Sequence, residues 1–169
     1  GITMSKKHPI VAVTGSSGAG TTTVKRAFEH IFHRENINPL VIEGDSYHRF
    51  DRAAMKEQMA REEERGNKFF SHFGEDANHC DKLAETFESY SQTGACQRRY
   101  YLHSDEEAVD HNARLGTNLT PGQFTPWEDI KDKTDLLFYE GLHGAVVTES
   151  VNLAQHCDLS IGVVPVINL

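Results

Sequence analysis

The stretch Ile10-Val-Ala-Val-Thr-Gly15-Ser-Ser-Gly18-Ala-Gly20-Thr21-Thr22-Thr23 limits this chain to very few folds. Residues 10–13 are apolar without alternation, the pattern of a strand covered on both faces. A glycine-rich turn follows at once. Behind it, apolar side chains at Val24, Ala27, Phe28, Ile31 and Phe32 repeat at i, i+3, i+4, i+7 and i+8, the stripe of an amphipathic helix. Strand, glycine turn and helix together are the context in which a phosphate-loop pattern carries meaning.

In that reading Gly15 and Gly20 hold the two ends of the loop and Gly18 adds freedom between them, since glycine reaches positive φ at little cost. Backbone N–H groups then turn inward on one anion, and the helix N-terminus adds free donors and the positive end of its dipole. The expected nucleotide cradle is Gly15, Ser16, Ser17, Gly18, Ala19, Gly20, Thr21, Thr22 and Thr23. Thr22 occupies the Ser/Thr position of the motif, where a hydroxyl ligates magnesium carried by the nucleotide. Thr21 stands where the general pattern G-x-x-x-x-G-K-[ST] has lysine, which removes a cation from the β/γ-phosphates. The competing reading of the loop alone is a glycine-rich helix cap that holds no ligand. The strand and helix flanks weigh against it, as do two acidic positions further on.

The chain of 169 residues is long enough for one domain with a real core. A net charge of −8 disfavours a nucleic-acid partner. Ten histidines make that charge less negative toward pH 6. Cys80, Cys96 and Cys157 form no C-x-x-C, which points to reduced thiols and a cytoplasmic protein. No apolar run reaches the length of a membrane span, and no signal peptide is expected. Gly1-Ile2-Thr3 precede Met4 and read as an expression scar, so the expected domain is 4–169. Residues 158–169 have the pattern of a buried strand with no helix after it. The expectation is therefore a C-terminally truncated fragment of something longer.

Along the chain, Leu40-Val-Ile-Glu43 reads as a second strand that ends in Gly44-Asp45. A carboxylate at the C-terminal end of such a strand faces the crevice where open α/β sheets bind ligands. Helix is expected from about Phe50 or Asp51 to Arg65, which puts Arg52 and Lys56 one turn apart on one face. His48 lies just before them. A solvated charged face competes with a substrate role for all three cations, and most strongly for Lys56; Arg49 competes with His48 and Arg52. Residues 69–74 read as a buried aromatic loop with His72 inside it, and 78–90 as a helix with Leu83, Phe87 and Tyr90 on one side. Residues 94–97 read as a turn, 98–103 as a strand bearing cations, and 104–134 as long connecting structure. Residues 136–139 form a further buried strand, and Glu140 sits at its C-terminal end. Gly141 and Gly144 allow close backbone approach, and His143 is divided between the site and local hydrogen bonding. A short helix over 151–154 and a strand over 159–164 follow. The expected architecture is a three-layer α/β sandwich of the phosphate-loop NTPase type, with a mainly parallel sheet covered on both faces.

Phosphoryl transfer needs a cradle, a metal, a base near the acceptor and cations on the charge. Thr22 and Glu140 suit the metal, with Asp45 a further candidate beside it, and Asp45 suits the base. His48 and Arg52 suit an anionic acceptor that carries a phosphate, because an arginine fork matches phosphate oxygens. A small-molecule kinase follows, without the identity of its acceptor.

The segments Val13-Thr-Gly-Ser-Ser-Gly-Ala-Gly-Thr-Thr-Thr23, Ile42-Glu-Gly-Asp-Ser-Tyr-His-Arg-Phe50, Phe69-Phe-Ser-His-Phe-Gly74, Tyr101-Leu-His103 and Phe138-Tyr-Glu-Gly-Leu-His-Gly144 resemble the bacterial phosphoribulokinases. The resemblance runs from about Lys6 to Leu169. It implies that ATP and Mg2+ are used to phosphorylate ribulose 5-phosphate to ribulose 1,5-bisphosphate in the Calvin cycle of carbon fixation. It further implies Asp45 as catalytic base, Glu140 as second acidic residue, and His48, Arg52 and Lys56 as contacts to the sugar phosphate. Tyr101 and His103 match a substrate-side motif. The missing lysine at Thr21 also resembles the bacterial branch, and serines at 16 and 17 stand where thiol-regulated relatives carry a cysteine. NADH and AMP are implied as effectors, with Arg34 as a contact, and a homo-oligomer is implied at full length. Relatives continue beyond Leu169 with cations that close over the phosphates, so the chain as given is expected to bind nucleotide poorly and turn over slowly or not at all. The alternatives are a uridine kinase-like nucleoside kinase and a non-catalytic nucleotide-binding regulatory module.

Overall fold

The computed structural model describes residues 7–15, 20–67, 77–141 and 157–163. Strand β1 spans Ile10–Gly15 and helix α1 Thr21–Arg34. Strand β2, Pro39–Glu43, runs directly into a 3-10 turn over Gly44–Tyr47. Helices α2 (Arg52–Glu64) and α3 (Cys80–Thr93) follow, then strand β3 (Cys96–Arg98), helix α4 (Asp105–Leu115) and strand β4 (Glu128–Ile130). Strands β5 (Leu136–Gly141) and β6 (Leu159–Val163) complete the described elements.

Four strands form one parallel sheet in the order β2-β5-β1-β6. Strand β1 thus lies inside the sheet, and its partners are more than a hundred residues away in sequence. Parallel strands need crossovers, and crossover helices cover the sheet faces. This explains why β1 is apolar without alternation: Ile10 and Ala12 enter one core, Val11 and Val13 the other. Strand β5 divides the same way, with Leu137 and Tyr139 on one side and Leu136 and Phe138 on the opposite side. The first core is closed by Leu83, Phe87 and Tyr90 of α3. The second is closed by α1, where Phe28 and Phe32 lie 5.3 and 5.4 Å from the Phe138 ring. The three-layer α/β arrangement expected from the sequence is the one observed.

Three local readings change. The apolar stripe of α1 is narrower than expected: Val24, Phe28 and Phe32 pack, while Ala27 and Ile31 are exposed. The residues read as a turn at 94–97 and a strand at 98–103 are displaced: Gly94 ends α3 with φ 75°, β3 already begins at Cys96, and beyond Arg98 only a single bridge from Tyr101 to Phe124 persists. The stretch read as connecting structure, 104–134, contains α4 and β4. Helix α4 buries only Ala108, so its apolar periodicity is faint. What builds it is capping: the Ser104 hydroxyl accepts from the Glu107 amide at 3.2 Å, Glu107 reaches back to the His103 amide at 2.8 Å, and Gly116 closes the far end with φ 69°. The expected aromatic loop at 69–74 with His72, His143, Gly144 and the helix at 151–154 lie outside the described residues.

Candidate active site

Chemistry gathers along the carboxyl edge of the parallel sheet. There Gly15 ends β1, and Gly20 caps α1 in the left-handed conformation, with φ 85° and ψ 24°. The four residues between them, Ser16, Ser17, Gly18 and Ala19, lie outside the described residues. Gly20 brings no capping side chain, and the first turn of α1 carries no acidic residue. The positive end of this helix is therefore uncompensated by its own first turn, which suits an anion. Thr21, Thr22 and Thr23 form that turn, with Thr22 and Thr23 exposed.

The acidic pair lies at the same edge of the sheet. In the sheet register Glu140 lies between Val13 of β1 and Glu43 of β2. Asp45 follows Glu43 by two residues, in the 3-10 turn. Both carboxylates are felt by the phenol of Tyr139: burial chiefly raises its pKa, and the charges of Tyr47, Glu140 and Asp45 add to the rise. Gly44 and Gly141 explain how two strand ends come so close. A Cβ on Gly44 would stand 2.5 Å from the Tyr139 hydroxyl and 2.9 Å from the Gly141 Cα, and one on Gly141 would meet the same hydroxyl at 2.5 Å.

Next to Asp45 opens a cleft of about 500 Å³. It is lined by Asp45, His48, Phe50, Asp51, Arg52, Met55, Lys56, Met59, Tyr101 and His103. All the residues assigned to the sugar phosphate from the sequence thus meet in one place, from three separate segments. Asp51 caps α2 by accepting from the Ala54 amide at 2.8 Å, which fixes where Arg52 and Lys56 begin their turn of helix. Arg49, the competing cation, is not among the lining residues. Lys56 is exposed, so its charge stands at the solvent side of the cleft.

The Asp45 carboxylate lies between two imidazoles. Its Oδ1 is 3.4 Å from His48 Nε2 and its Oδ2 is 3.5 Å from His103 Nε2. His48 Nδ1 shares a 2.7 Å hydrogen bond with the Asn78 Oδ1 atom, and the Tyr101 ring abuts that of His103 at 4.9 Å. His103 Nε2 also lies 4.0 Å from Glu43 Oε2, and the other Glu43 oxygen accepts from Lys25 at 3.3 Å. A line of ionisable side chains therefore joins α1 to the cleft through Lys25, Glu43, His103 and Asp45.

Several supporting residues were not evident from the sequence. Asn78, Glu43 and Lys25 are ordinary polar residues until the chain folds. Gly122, with φ 89°, packs its backbone on the Arg52 side chain: a Cβ there would meet Arg52 Cβ at 2.8 Å. The Gly122 carbonyl also accepts from the Arg52 amide at 2.9 Å. Arg99 donates to two carbonyls of the turn that bears Asp45. Only Gly122 had a visible signal, as part of Pro121-Gly122 between polar stretches. Arg34 ends α1, is exposed, and donates to Glu35 at 3.1 Å. Fourteen residues of helix carry it about 20 Å from the end where Thr21 begins.

No group of three or more His, Cys, Asp or Glu among the described residues could hold a metal by itself. A threonine hydroxyl at a helix start and a carboxylate at an adjacent strand end are hard oxygen donors. They fit a magnesium ion that brings its remaining ligands on phosphates and water. Among the described residues no helix is long and apolar enough to cross a membrane.

A parallel sheet whose inner strand feeds a glycine-capped helix, with carboxylates at the ends of the next two strands, defines an α/β protein of the phosphate-loop class. The chain belongs to the Phosphoribulokinase / Uridine kinase family, whose model matches residues 10–169. It is 58% identical over 166 residues to the chromosomal phosphoribulokinase of Cupriavidus necator, which covers 98% of this chain and 55% of that one. A phosphoribulokinase from Nitrobacter vulgaris is 55% identical over the same shares. The solved phosphoribulokinase from Rhodobacter spheroides superimposes with a TM-score of 0.81 at 48% identity, covering 96% of this chain and 53% of that one. The chain spans about half the length of the relatives it matches.

Proposed function

We propose that this protein is a phosphoribulokinase, which transfers the γ-phosphoryl group of ATP to a hydroxyl of ribulose 5-phosphate and yields ribulose 1,5-bisphosphate for the Calvin cycle. The observation that carries the reading is the cleft itself: one carboxylate at its sheet end and four cationic or potentially cationic side chains around it, His48, Arg52, Lys56 and His103. A doubly charged phosphate and a hydroxyl to be deprotonated are the two ends of a sugar phosphate. The names and identities of the relatives support the same acceptor. A cytoplasmic setting is part of the proposal.

In this reading Asp45 accepts the proton of the acceptor hydroxyl. His48 and His103 hold the two oxygens of its carboxylate, so the base is aimed before substrate arrives. Arg52 and Lys56 receive the acceptor's phosphate, with Arg52 braced by the backbone of Gly122. Tyr101 supports the His103 ring. Backbone amides from Gly15 to Thr23 hold the nucleotide phosphates. Thr22 and Glu140 would hold Mg2+, which when bound neutralises charge on the transferring group.

Replacing Asp45→Asn in the protein at its natural length tests the assignment. The expected result is a kcat lower by about 10⁴-fold with nucleotide affinity changed by less than about threefold. An unchanged kcat would favour a non-catalytic nucleotide-binding module. Turnover of uridine in place of ribulose 5-phosphate would move the protein to the nucleoside kinases of the same family.

A further inference from the structure

Arg99 is not among the residues that line the cleft. Its Nε donates to the carbonyl of Ser46 and its Nη2 to the carbonyl of His48, both at 2.7 Å. The guanidinium lies 3.7 Å from the centre of the Phe124 ring and 4.7 Å from that of Trp127. Among the described residues it forms no ion pair, so the ring faces and the two carbonyls receive its charge. Burial lowers its pKa to about 10, which leaves it cationic at neutral pH.

The segment it grips is the 3-10 turn and the residue after it. Three neighbouring carbonyls have backbone or short-range partners: that of Glu43 accepts from the Ser46 hydroxyl at 2.6 Å, that of Asp45 from the His48 amide at 3.4 Å, and that of Tyr47 from the amide of His79 in the segment before α3 at 2.7 Å. The carbonyls of Ser46 and His48 take theirs from Arg99, across more than fifty residues of sequence. Two carbonyls at i and i+2 present two acceptors at one spacing. A planar guanidinium matches that spacing with two N–H donors, whereas an ammonium is a single, strongly hydrated point. Arg99 itself is anchored by its neighbour, because the Tyr100 amide donates to Thr125 Oγ1 at 2.8 Å and the Thr125 amide returns to the Tyr100 carbonyl at 2.9 Å.

Building on the kinase reading above, we propose that Arg99 is a positioning residue: its fork holds the Ser46–His48 backbone so that the Asp45 carboxylate and the His48 imidazole face the acceptor. It touches neither reacting group. A displacement of about 1 Å in such a turn is enough to cost about 10²-fold in rate.

The test uses Arg99→Ala and Arg99→Lys in the protein at its natural length, with ATP and ribulose 5-phosphate. Both variants are expected to lose about 10²-fold in kcat/KM for the sugar phosphate, with KM for ATP within about twofold of wild type. Guanidinium at millimolar concentration is expected to restore Arg99→Ala at least tenfold, while methylammonium at equal ionic strength restores nothing. A second readout is independent of turnover. The ¹⁵N imidazole signals of His48 are expected to move in Arg99→Ala and to return with guanidinium, while the amide of Val109 stays in place. Wild-type efficiency in both variants, or a loss shared equally by ATP and sugar phosphate and not rescued by guanidinium, would overturn the role. Inactivity of the wild-type protein toward ribulose 5-phosphate would overturn the kinase reading alone, and the His48 signals would still decide the role of Arg99.

Discussion

Single residues at the sheet edge are constrained by contact distances, and Gly44 shows how tightly. Gly44→Ala would place a methyl against the hydroxyl of a buried tyrosine and the backbone of Gly141, neither of which can swing aside. A loss of about 1–3 kcal/mol is expected, read as a lower denaturant midpoint at unchanged slope. A second expectation concerns the thiols. Burial pushes Cys96 and Cys157 up to about 11, with Asp158 adding to the rise at Cys157. At pH 8 only about one thiol in a thousand is then ionised at either site. Alkylation by iodoacetamide at that pH is expected to be far slower in the native protein than in urea, as mass spectrometry of labelled peptides would report. The sequence exposed Asp45, His48, Arg52 and Glu140 because each lies at or within ten residues of the carboxyl end of a continuous apolar run. It concealed Asn78 and Arg99, whose partners lie thirty and more than fifty residues away.

At the level of elements, the sheet was legible and the small additions to it were not. Continuous apolar runs announce strands covered on both faces, and 10–13 and 136–139 are buried throughout. Helix α4 lacks such a signal because it packs almost nothing; its evidence was the pattern Ser104-x-x-Glu107 and the closing Gly116. Ser104→Ala is therefore expected to cost about 1 kcal/mol, measured by chemical denaturation. The far end of α4 is tied to β4 by Arg114, whose two terminal nitrogens reach Glu128 at 2.5 and 3.1 Å. Hydrogen bonding to Arg114 lowers the Glu128 pKa. A depressed folded-state value means the pair contributes above the unfolded carboxylate pKa and loses that contribution as pH falls through the folded one. Glu128→Gln should cost less than about 1 kcal/mol at pH 7, because both side chains keep contact with solvent, and the difference from wild type should shrink at acid pH, below the unfolded carboxylate pKa. Stability curves at the two pH values check it.

Over the whole molecule, sequence order and spatial order diverge. Strand β5 is among the last of the described elements in chain order, yet it sits between β2 and β1 and pairs with both. Without it the two early strands have no common partner, and Leu40, Ile42, Ile10 and Ala12 lose the Leu137 and Tyr139 side chains between them. A chain ended at Lys131 is expected to show no cooperative unfolding transition and no protected β1 amides in hydrogen exchange. Persistent protection of Val11 and Val13 in that chain would refute this account of the core. The histidine, arginine and lysine of the cleft come from segments outside the central sheet, so their convergence is a property of the folded whole.

The hydroxyl of Tyr139, wedged against Gly44 and Gly141, has a consequence for how such a site can change. It gears the strand ends that carry Glu140 and Asp45 together, so neither can be lengthened or re-aimed by itself. Under the proposed kinase reading, a drift toward new acceptors is thereby channelled into α2 and the residues around Tyr101, where the wall of the cleft can be rewritten while the sheet rim keeps its spacing.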